Sequence, residues 1–381
     1  VSAYATRSRF VVSNYGMGGS LQSGMAESRW GGPAAALLKW ETTNQFDIGL
    51  DIAFLNNRVN LTVDAYYKKT KDLLLDKLIP MSSGFSRIQA NYGNVTNKGL
   101  EISGHFIPVK ARNFLWSIDA NISFNRNKVG GLDADQYSDV AWGIENMFLV
   151  RNGEPIGTLY GYVEDGFYDN EAEVRADPLY RNETDSKVKS MVGEVKYKNL
   201  DDDPVIDNRD RQIIGNTNPD YQYGITNTLE WKNWTFSFFL QGTQGNDVLN
   251  VNLKKFDMAS VDNMPYFIYN NRWTAENRAN AKWPRANRTS TRSMRASDRY
   301  IEDGSYLRCK NVSLSYRFRH PMKFVESINL VASVSNLFTI SGYSWMDPDV
   351  NSFGSDPKRR GVDMASYPSA RTFNFGVQIG F

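Results

Sequence analysis

Apolar side chains in this sequence recur at every second position, segment after segment, and that period commits the chain to β-structure. Phe46, Ile48, Leu50, Ile52 and Phe54 alternate with Asp47, Gly49, Asp51 and Ala53. Val59, Leu61, Val63, Ala65 and Tyr67 alternate with Asn60, Thr62, Asp64 and Tyr66. The same pattern returns at 116–124, 234–241 and 312–318, and the chain closes on Phe373, Phe375, Val377, Ile379 and Phe381. The spacing predicts strands over 44–54, 59–75, 99–108, 114–128, 221–230, 234–241, 305–318, 327–340 and 371–381, with an earlier one near 5–13.

Alternation alone leaves two architectures. A soluble β-sandwich turns its apolar face inward; a membrane barrel turns it outward and encloses a wet lumen. Here the second face is rich in Asn, Ser, Thr, Asp and Gly rather than Lys and Glu, which suits a lumen. The connections carry more weight. Short ones fall near 56–57, 110–113, 232–233 and 320–326, and long ones at 76–98, 129–219, 242–304 and 341–370. Strict alternation of short and long sends every long loop to one end. Outer-membrane barrels have this asymmetry, with short periplasmic turns and long outer loops, and a sandwich has no reason for it. The expected fold is therefore all-β, a transmembrane antiparallel β-barrel. Trp40, Tyr67, Trp116, Trp231, Trp234 and Tyr316 fall near strand ends, where a membrane protein carries aromatic girdles; ordinary β-propensity accounts for each taken singly.

Composition excludes little else. No run approaches the roughly 20 apolar residues of a membrane helix, but a barrel strand needs none. The net charge is +2, from 44 basic and 42 acidic residues, which gives no reason to expect nucleic acid as a partner. The one cysteine, Cys309, forms no internal disulfide. The chain begins at Val1 without a charged and apolar leader, so either a signal has been removed or the chain is part of a longer one. His105 and His320 have no nucleophile beside them in the pattern, and Gly16-Met17-Gly18-Gly19 opens no helix after a buried strand. An enzyme is not expected.

Several stretches resemble the SusC/RagA-type TonB-dependent transporters of Bacteroidetes outer membranes. Leu38-Lys39-Trp40-Glu41-Thr42-Thr43-Asn44-Gln45-Phe46 is similar to that family's strand entry, and the stretch from Asn91-Tyr92-Gly93-Asn94 through Asn97-Lys98-Gly99-Leu100-Glu101 is similar to another. Ile213-Ile214-Gly215-Asn216, Asn218-Pro219-Asp220 and Tyr223-Gly224 follow the family order, as do Phe239-Leu240-Gln241-Gly242 and Gln244-Gly245-Asn246-Asp247. The tail from Tyr367-Pro368 to Phe381 resembles the closing strand. The resemblance implies that residues 1–381 are the C-terminal portion of a 22-stranded barrel, without the N-terminal plug or the energy-coupling box. It implies a SusD-like surface lipoprotein over the outer mouth, and TonB acting through the N-terminal region. It also implies a cargo of oligosaccharide, with peptide as the second choice, and a setting in outer-membrane lipid. The alternatives are a passive porin or a soluble carbohydrate-binding β-protein.

Two kinds of site are expected. The run Asn199-Leu200-Asp201-Asp202-Asp203-Pro204-Val205-Ile206-Asp207-Asn208-Arg209-Asp210 resembles the family's acidic loop, itself like a calcium loop. Counting Asn199 as first, side-chain oxygens fall at positions 1, 3, 5, 9 and 12 from Asn199, Asp201, Asp203, Asp207 and Asp210, and the Val205 carbonyl at 7. Pro204 stands where a glycine makes the sharp turn, and Asp210 is shorter than the bidentate Glu of such loops. No cofactor is required; Ca²⁺ is the ion this loop would take, and a solvated acidic turn is the other reading. For ligand, aromatic faces stack on sugar rings: Trp142, Tyr160, Tyr162, Trp273, Trp283 and Trp345 lie in the expected outer loops, with Phe167 and Tyr168. Loop packing is the competing role for each. The arginines of 272–299 suit either an anionic ligand or local salt bridges.

Overall fold

The computed structural model describes residues 10–17, 20–27, 37–83, 85, 87–140, 144–201, 203–256, 263–287 and 295–381. Nine strands form one antiparallel meander: β1 (Thr42–Phe54), β2 (Val59–Lys71), β3 (Asn94–Ala111), β4 (Phe114–Gly130), β5 (Tyr221–Trp231), β6 (Trp234–Gln244), β7 (Tyr306–Met322), β8 (Val325–Ser341) and β9 (Thr372–Gly380). Each pairs only with its chain neighbours, so β1 and β9 are the edges of an open wall. All nine expected strands are present. A separate hairpin pairs Phe10–Met17 with Ser20–Glu27; residues 5–9 of the earlier expected strand lie outside the described residues.

The register makes the two faces continuous. One row crosses all nine strands through Phe54, Val59, Phe106, Ile118, Asn227, Phe238, Val312, Val334 and Phe373. Its single polar member, Asn227, accepts a hydrogen bond from the Trp116 indole at 3.2 Å. The adjacent row runs through Ala53, Asn60, His105, Asp119, Thr226, Phe239, Asn311, Ser335 and Thr372. Shifting a strand by one residue would exchange these faces, so the apolar pattern fixes the register.

Among the described residues nothing covers the apolar face: Phe46 is 67% exposed, Leu50 58%, Phe375 83% and Val377 63%. An uncovered apolar wall of this extent exceeds what a soluble monomer presents. The buried core sits instead in the long loops. Ile144, Met147, Phe148, Leu159, Leu249, Val251, Ile268 and Tyr300 form one fully buried cluster, and Val95, Val129, Leu132 and Val150 a smaller one at the strand ends. Among the described residues, the buried apolar clusters thus lie in the loops and at the strand ends where the chain leaves the wall.

Short connections of 55–58, 112–113, 232–233 and 323–324 lie at one end, and long ones of 72–93, 131–220, 245–305 and 342–371 at the other. Most strands run a few residues beyond the expected bounds, β3 from Asn94 rather than 99 and β6 to Gln244 rather than 241, and two further boundaries have a local cause. β2 stops at Lys71, because Asp72 takes a left-handed φ of 59° and turns the chain into a second hairpin, Leu74–Leu78 with Arg87–Asn91. β7 runs through His320 and Pro321, which the sequence pattern assigned to the turn. A bulge between Arg319 and Met322, with φ 47° at His320, leaves the proline outside the ladder it cannot donate to.

Candidate functional site

The long loops fold onto one another above the wall. Strands Gln136–Val140, Ile144–Val150, Thr158–Gly161 and Gln212–Asn216 make a small sheet within the second loop. Gly161 lets the third loop dock on it. A Cβ there would lie 2.5 Å from the Ala296 carbonyl oxygen, the group that accepts from the Tyr162 amide at 2.9 Å. Beside this contact the Arg299 guanidinium donates to both Glu164 oxygens, with Nε–Oε1 at 2.8 Å, and the Ser297 hydroxyl donates to Oε1 at 3.0 Å. The side chains of Arg299 and Glu164 are 5% and 15% exposed. Burial pushes the Glu164 carboxyl above its ordinary range, against the pull of Arg299. A parallel pairing of Leu249 and Asn250 with Val362 and Asp363 joins the third loop to the fourth. Arg308, 1% exposed at the end of β7, ties the fourth loop down through Asp347.

These loops use their aromatic faces internally. Tyr160 lies under the guanidiniums of Arg211 (4.9 Å) and Arg151 (5.8 Å). Tyr162 meets Arg211, Arg295 and the Tyr197 ring. Trp283 meets Arg299 and Phe267, and the Trp273 indole donates to Asp169 at 3.1 Å. All four are buried, as is Tyr168, whereas Trp345 is half-buried with its ring 5.9 Å from Phe256. Trp142 lies outside the described residues. The expectation of free stacking faces therefore does not hold for Tyr160, Tyr162, Trp273 or Trp283: cation–π and ring contacts inside the loops already occupy them. Within the loops, exposed aromatic rings include Tyr266 and Tyr367, which the sequence pattern did not single out.

In the acidic loop the carboxylates converge on Arg209. Its Nη1 lies 3.1 Å from Asp201, its Nη2 donates to Asp207 at 3.0 Å and closely to Asp203, and its backbone amide donates to Asp207 at 2.8 Å. These bonds hold the Asp207 carboxyl below its ordinary range. Asp210 spends one oxygen on the Leu200 amide and the other on the Asp207 amide, both at 2.8 Å. Asn199 donates its amide to the Asp203 carbonyl. Pro204, fixed at negative φ, cannot make the glycine turn that wraps oxygens round an ion. Among the described residues no group of three or more carboxylate, imidazole or thiol side chains is set to hold a metal, and Asp202 lies outside them. Asn199, Asp201, Asp203, Val205, Asp207 and Asp210 thus share one loop, but a tethered guanidinium stands where calcium would, and the donor set does not fit the ion. Calcium at millimolar concentration is expected to leave hydrogen exchange over 199–211 unchanged. The double substitution Pro204→Gly, Arg209→Asn is expected to make it calcium-sensitive. Chelator-reversible protection in the unsubstituted protein would contradict this.

A polar cavity of about 290 Å³ opens where the loops meet the second face of the wall. Gln222, Thr243 and Tyr306 line it from β5, β6 and β7, and Asn246, Asp349 and Arg360 from the loops.

An antiparallel wall with a lipid-exposed apolar face, a polar inner face and all long loops at one end is part of an outer-membrane β-barrel. Residues 10–337 match the family described as TonB dependent receptor-like, beta-barrel, and the chain belongs to that family. It is 33% identical over its whole length to TonB-dependent receptor P26 of Formosa agariphila, covering 38% of that protein. It is 29% identical over 90% of its length to TonB-dependent receptor SusC of Bacteroides thetaiotaomicron, covering 32% of it. All of the chain superposes on 39% of a chain in the structure of the RagAB peptide transporter, with a TM-score of 0.74 at 19% identity. The chain therefore spans about a third of the length of the relatives it matches. Its setting is the outer membrane, as the outward apolar face requires.

Proposed function

We propose that the chain forms part of the wall of a transporter that imports a nutrient oligosaccharide by TonB-driven opening, under a SusD-like lipoprotein lid. The observation that carries this reading is the polar cavity between lumen wall and loops. Hydroxyl and amide groups from five separate segments converge there (Thr217, Gln222, Thr243, Tyr306 and Asn351). Such groups match a ring of hydroxyls and offer nothing to an apolar ligand. The resemblance of the sequence motifs to the SusC/RagA family puts oligosaccharide first; the likeness to the RagAB peptide transporter keeps peptide as the second cargo, and Asp349 with Arg360 in the same cavity would suit a peptide's two charges. TonB would act through the part of the protein outside this chain.

The test is uptake of labelled oligosaccharides and peptides by cells carrying the full-length protein, with and without TonB. Saturable oligosaccharide uptake that disappears without TonB is the expected result. Uptake that persists without TonB means a passive pore. Co-purification of a lipoprotein in mild detergent checks the lid separately.

A further inference from the structure

The outward face changes character at the loop end of three adjacent strands. On β2, β3 and β4 its apolar rows end at Ala65, Leu100 and Phe124, which lie side by side. The next outward row is Tyr67, Lys98 and Arg126, and the one beyond it is Lys69, Thr96 and Lys128. Lys69, Thr96 and Lys128 stand an even number of positions from Val59, Phe106 and Ile118, so the two-residue period puts them on the face that meets lipid. Two observations agree. The Lys98 ammonium lies over the Tyr67 ring, 5.6 Å from its centre. Val95 and Val129, of the opposite parity, are buried in one cluster with Leu132 and Val150.

Neighbouring strands lie about 4.8 Å apart, so Lys69 and Lys128 flank Thr96 from either side, and Lys98 stands two positions along β3. Three ammonium-bearing residues and a hydroxyl thus share one small area. Lys98 and Lys128 are exposed. Asp220 engages Arg126 at 2.6 Å, but among the described residues no salt bridge holds Lys69, Lys98 or Lys128. By contrast the same face ends in Tyr221, Gln244, Leu307 and Ile340 on β5 to β8.

Further along the same face, toward the short turns, is a hollow of about 400 Å³. Gly104 and Ala120, paired across β3 and β4, leave it open, between Ile102, Ile122, Tyr223 and Ile225. It extends to Tyr221, whose ring meets that of Phe124 at 5.8 Å, one row from Arg126. Cations and hollow therefore follow one another down one lipid-facing surface. Ammonium groups just above an apolar band recognise phosphate at headgroup level through charge-assisted hydrogen bonds, and the hollow offers room to an acyl chain. The loop end faces outward from the cell, and the leaflet there carries lipopolysaccharide.

We propose that β2, β3 and β4 bind one lipid A, the phosphorylated and acylated glucosamine anchor of lipopolysaccharide. A phosphate lies over Thr96 among Lys69, Lys98 and Lys128, and an acyl chain lies in the hollow at Gly104 and Ala120. The site is on the opposite face of the wall from the polar cavity assigned to cargo.

The experiment uses the full-length protein, stripped of lipid in mild detergent. It is titrated separately with lipid A, with dephosphorylated lipid A and with phosphatidylglycerol, and retained lipid is read by native mass spectrometry. Lipid A is expected to be held about tenfold more tightly than its dephosphorylated form. Phosphatidylglycerol, whose phosphodiester carries one charge where a phosphomonoester approaches two, is expected to be held more weakly than lipid A. The triple substitution Lys69→Gln, Lys98→Gln, Lys128→Gln is expected to erase the tenfold difference. Ala120→Leu, which fills the hollow, is expected to weaken both forms of lipid A alike and leave their ratio unchanged. The mobility shift of the barrel on heating reports folding of each variant. Equal retention of the dephosphorylated form, a triple variant that keeps the difference, or phosphatidylglycerol held as tightly as lipid A overturns the assignment. Unweakened binding by the folded Ala120→Leu variant overturns the placing of the acyl chain.

Discussion

Leu314→Arg is expected to destabilise the barrel by about 2–4 kcal/mol, whereas Ser313→Arg or Ser315→Arg, one position along the same strand, is expected to change it by only about 0.5 kcal/mol. Leu314 is the middle residue of β7, with Phe236 and Ala332 as its cross-strand neighbours on the apolar face. An arginine there must desolvate in lipid or drag its headgroup to the interface. Ser313 pairs with Ser237 and Ser333 on the polar face, where a guanidinium keeps its water. Reversible urea titration of the protein folded into lipid vesicles reads both costs. Equal costs at 313 and 314 would mean that the two faces are not lipid and lumen.

The second large effect is expected at the tie between loops. Arg299→Met removes the cation from Glu164, whose side chain is 15% exposed and keeps, among the described residues, the Ser297 hydroxyl as its side-chain donor. Breaking a buried pair from one side costs about 3–5 kcal/mol, because the remaining charge is uncompensated. The loss should appear as faster hydrogen exchange over 158–167 and 295–303, with the wall unaffected. Adding Glu164→Gln should recover part of it. The pH dependence has a definite sign. Burial already raises the Glu164 carboxyl, and losing Arg299 raises it further. In the variant, acidification therefore neutralises the group and restores protection, and protection falls as pH rises through the folded-state value. Protection that falls on acidification instead would contradict this account.

The wall was legible because its period is simple and its strands are long. Phe46, Ile48, Leu50, Ile52 and Phe54 all fall on one face, and the short and long connections alternate along the strands as the sequence spacing does. The loops' own structure was much less so. The helices Glu171–Ala176 and Asp185–Met191 are too short for a 3.6-residue period to emerge. Their caps were the available signal: Asn170 accepts from the Glu173 amide at 2.9 Å, and Thr184 from that of Lys187. The aromatics were read by type, but their fate depends on arginines distant in sequence. Arg211 reaches Tyr160 across 51 residues, donating to its carbonyl at 2.9 Å while its guanidinium covers the ring. No local pattern announces such a contact. In the acidic loop the decisive residue stood in plain view: Arg209 lies two positions after Asp207. Ligand spacing alone cannot tell a metal's oxygens from a guanidinium's, and the proline in the glycine position was the better guide.

The central claim is that one face of the nine-stranded wall meets lipid and the other encloses water. Single cysteines at 311–317 of β7, introduced after Cys309→Ser and spin-labelled in the membrane-embedded full-length protein, test it most directly through collision rates with oxygen and with a water-soluble nickel complex. The account predicts strict alternation: labels at 312, 314 and 316 reached by oxygen, and those at 311, 313, 315 and 317 by nickel. Uniform access along the strand, or nickel reaching the apolar positions, would contradict it.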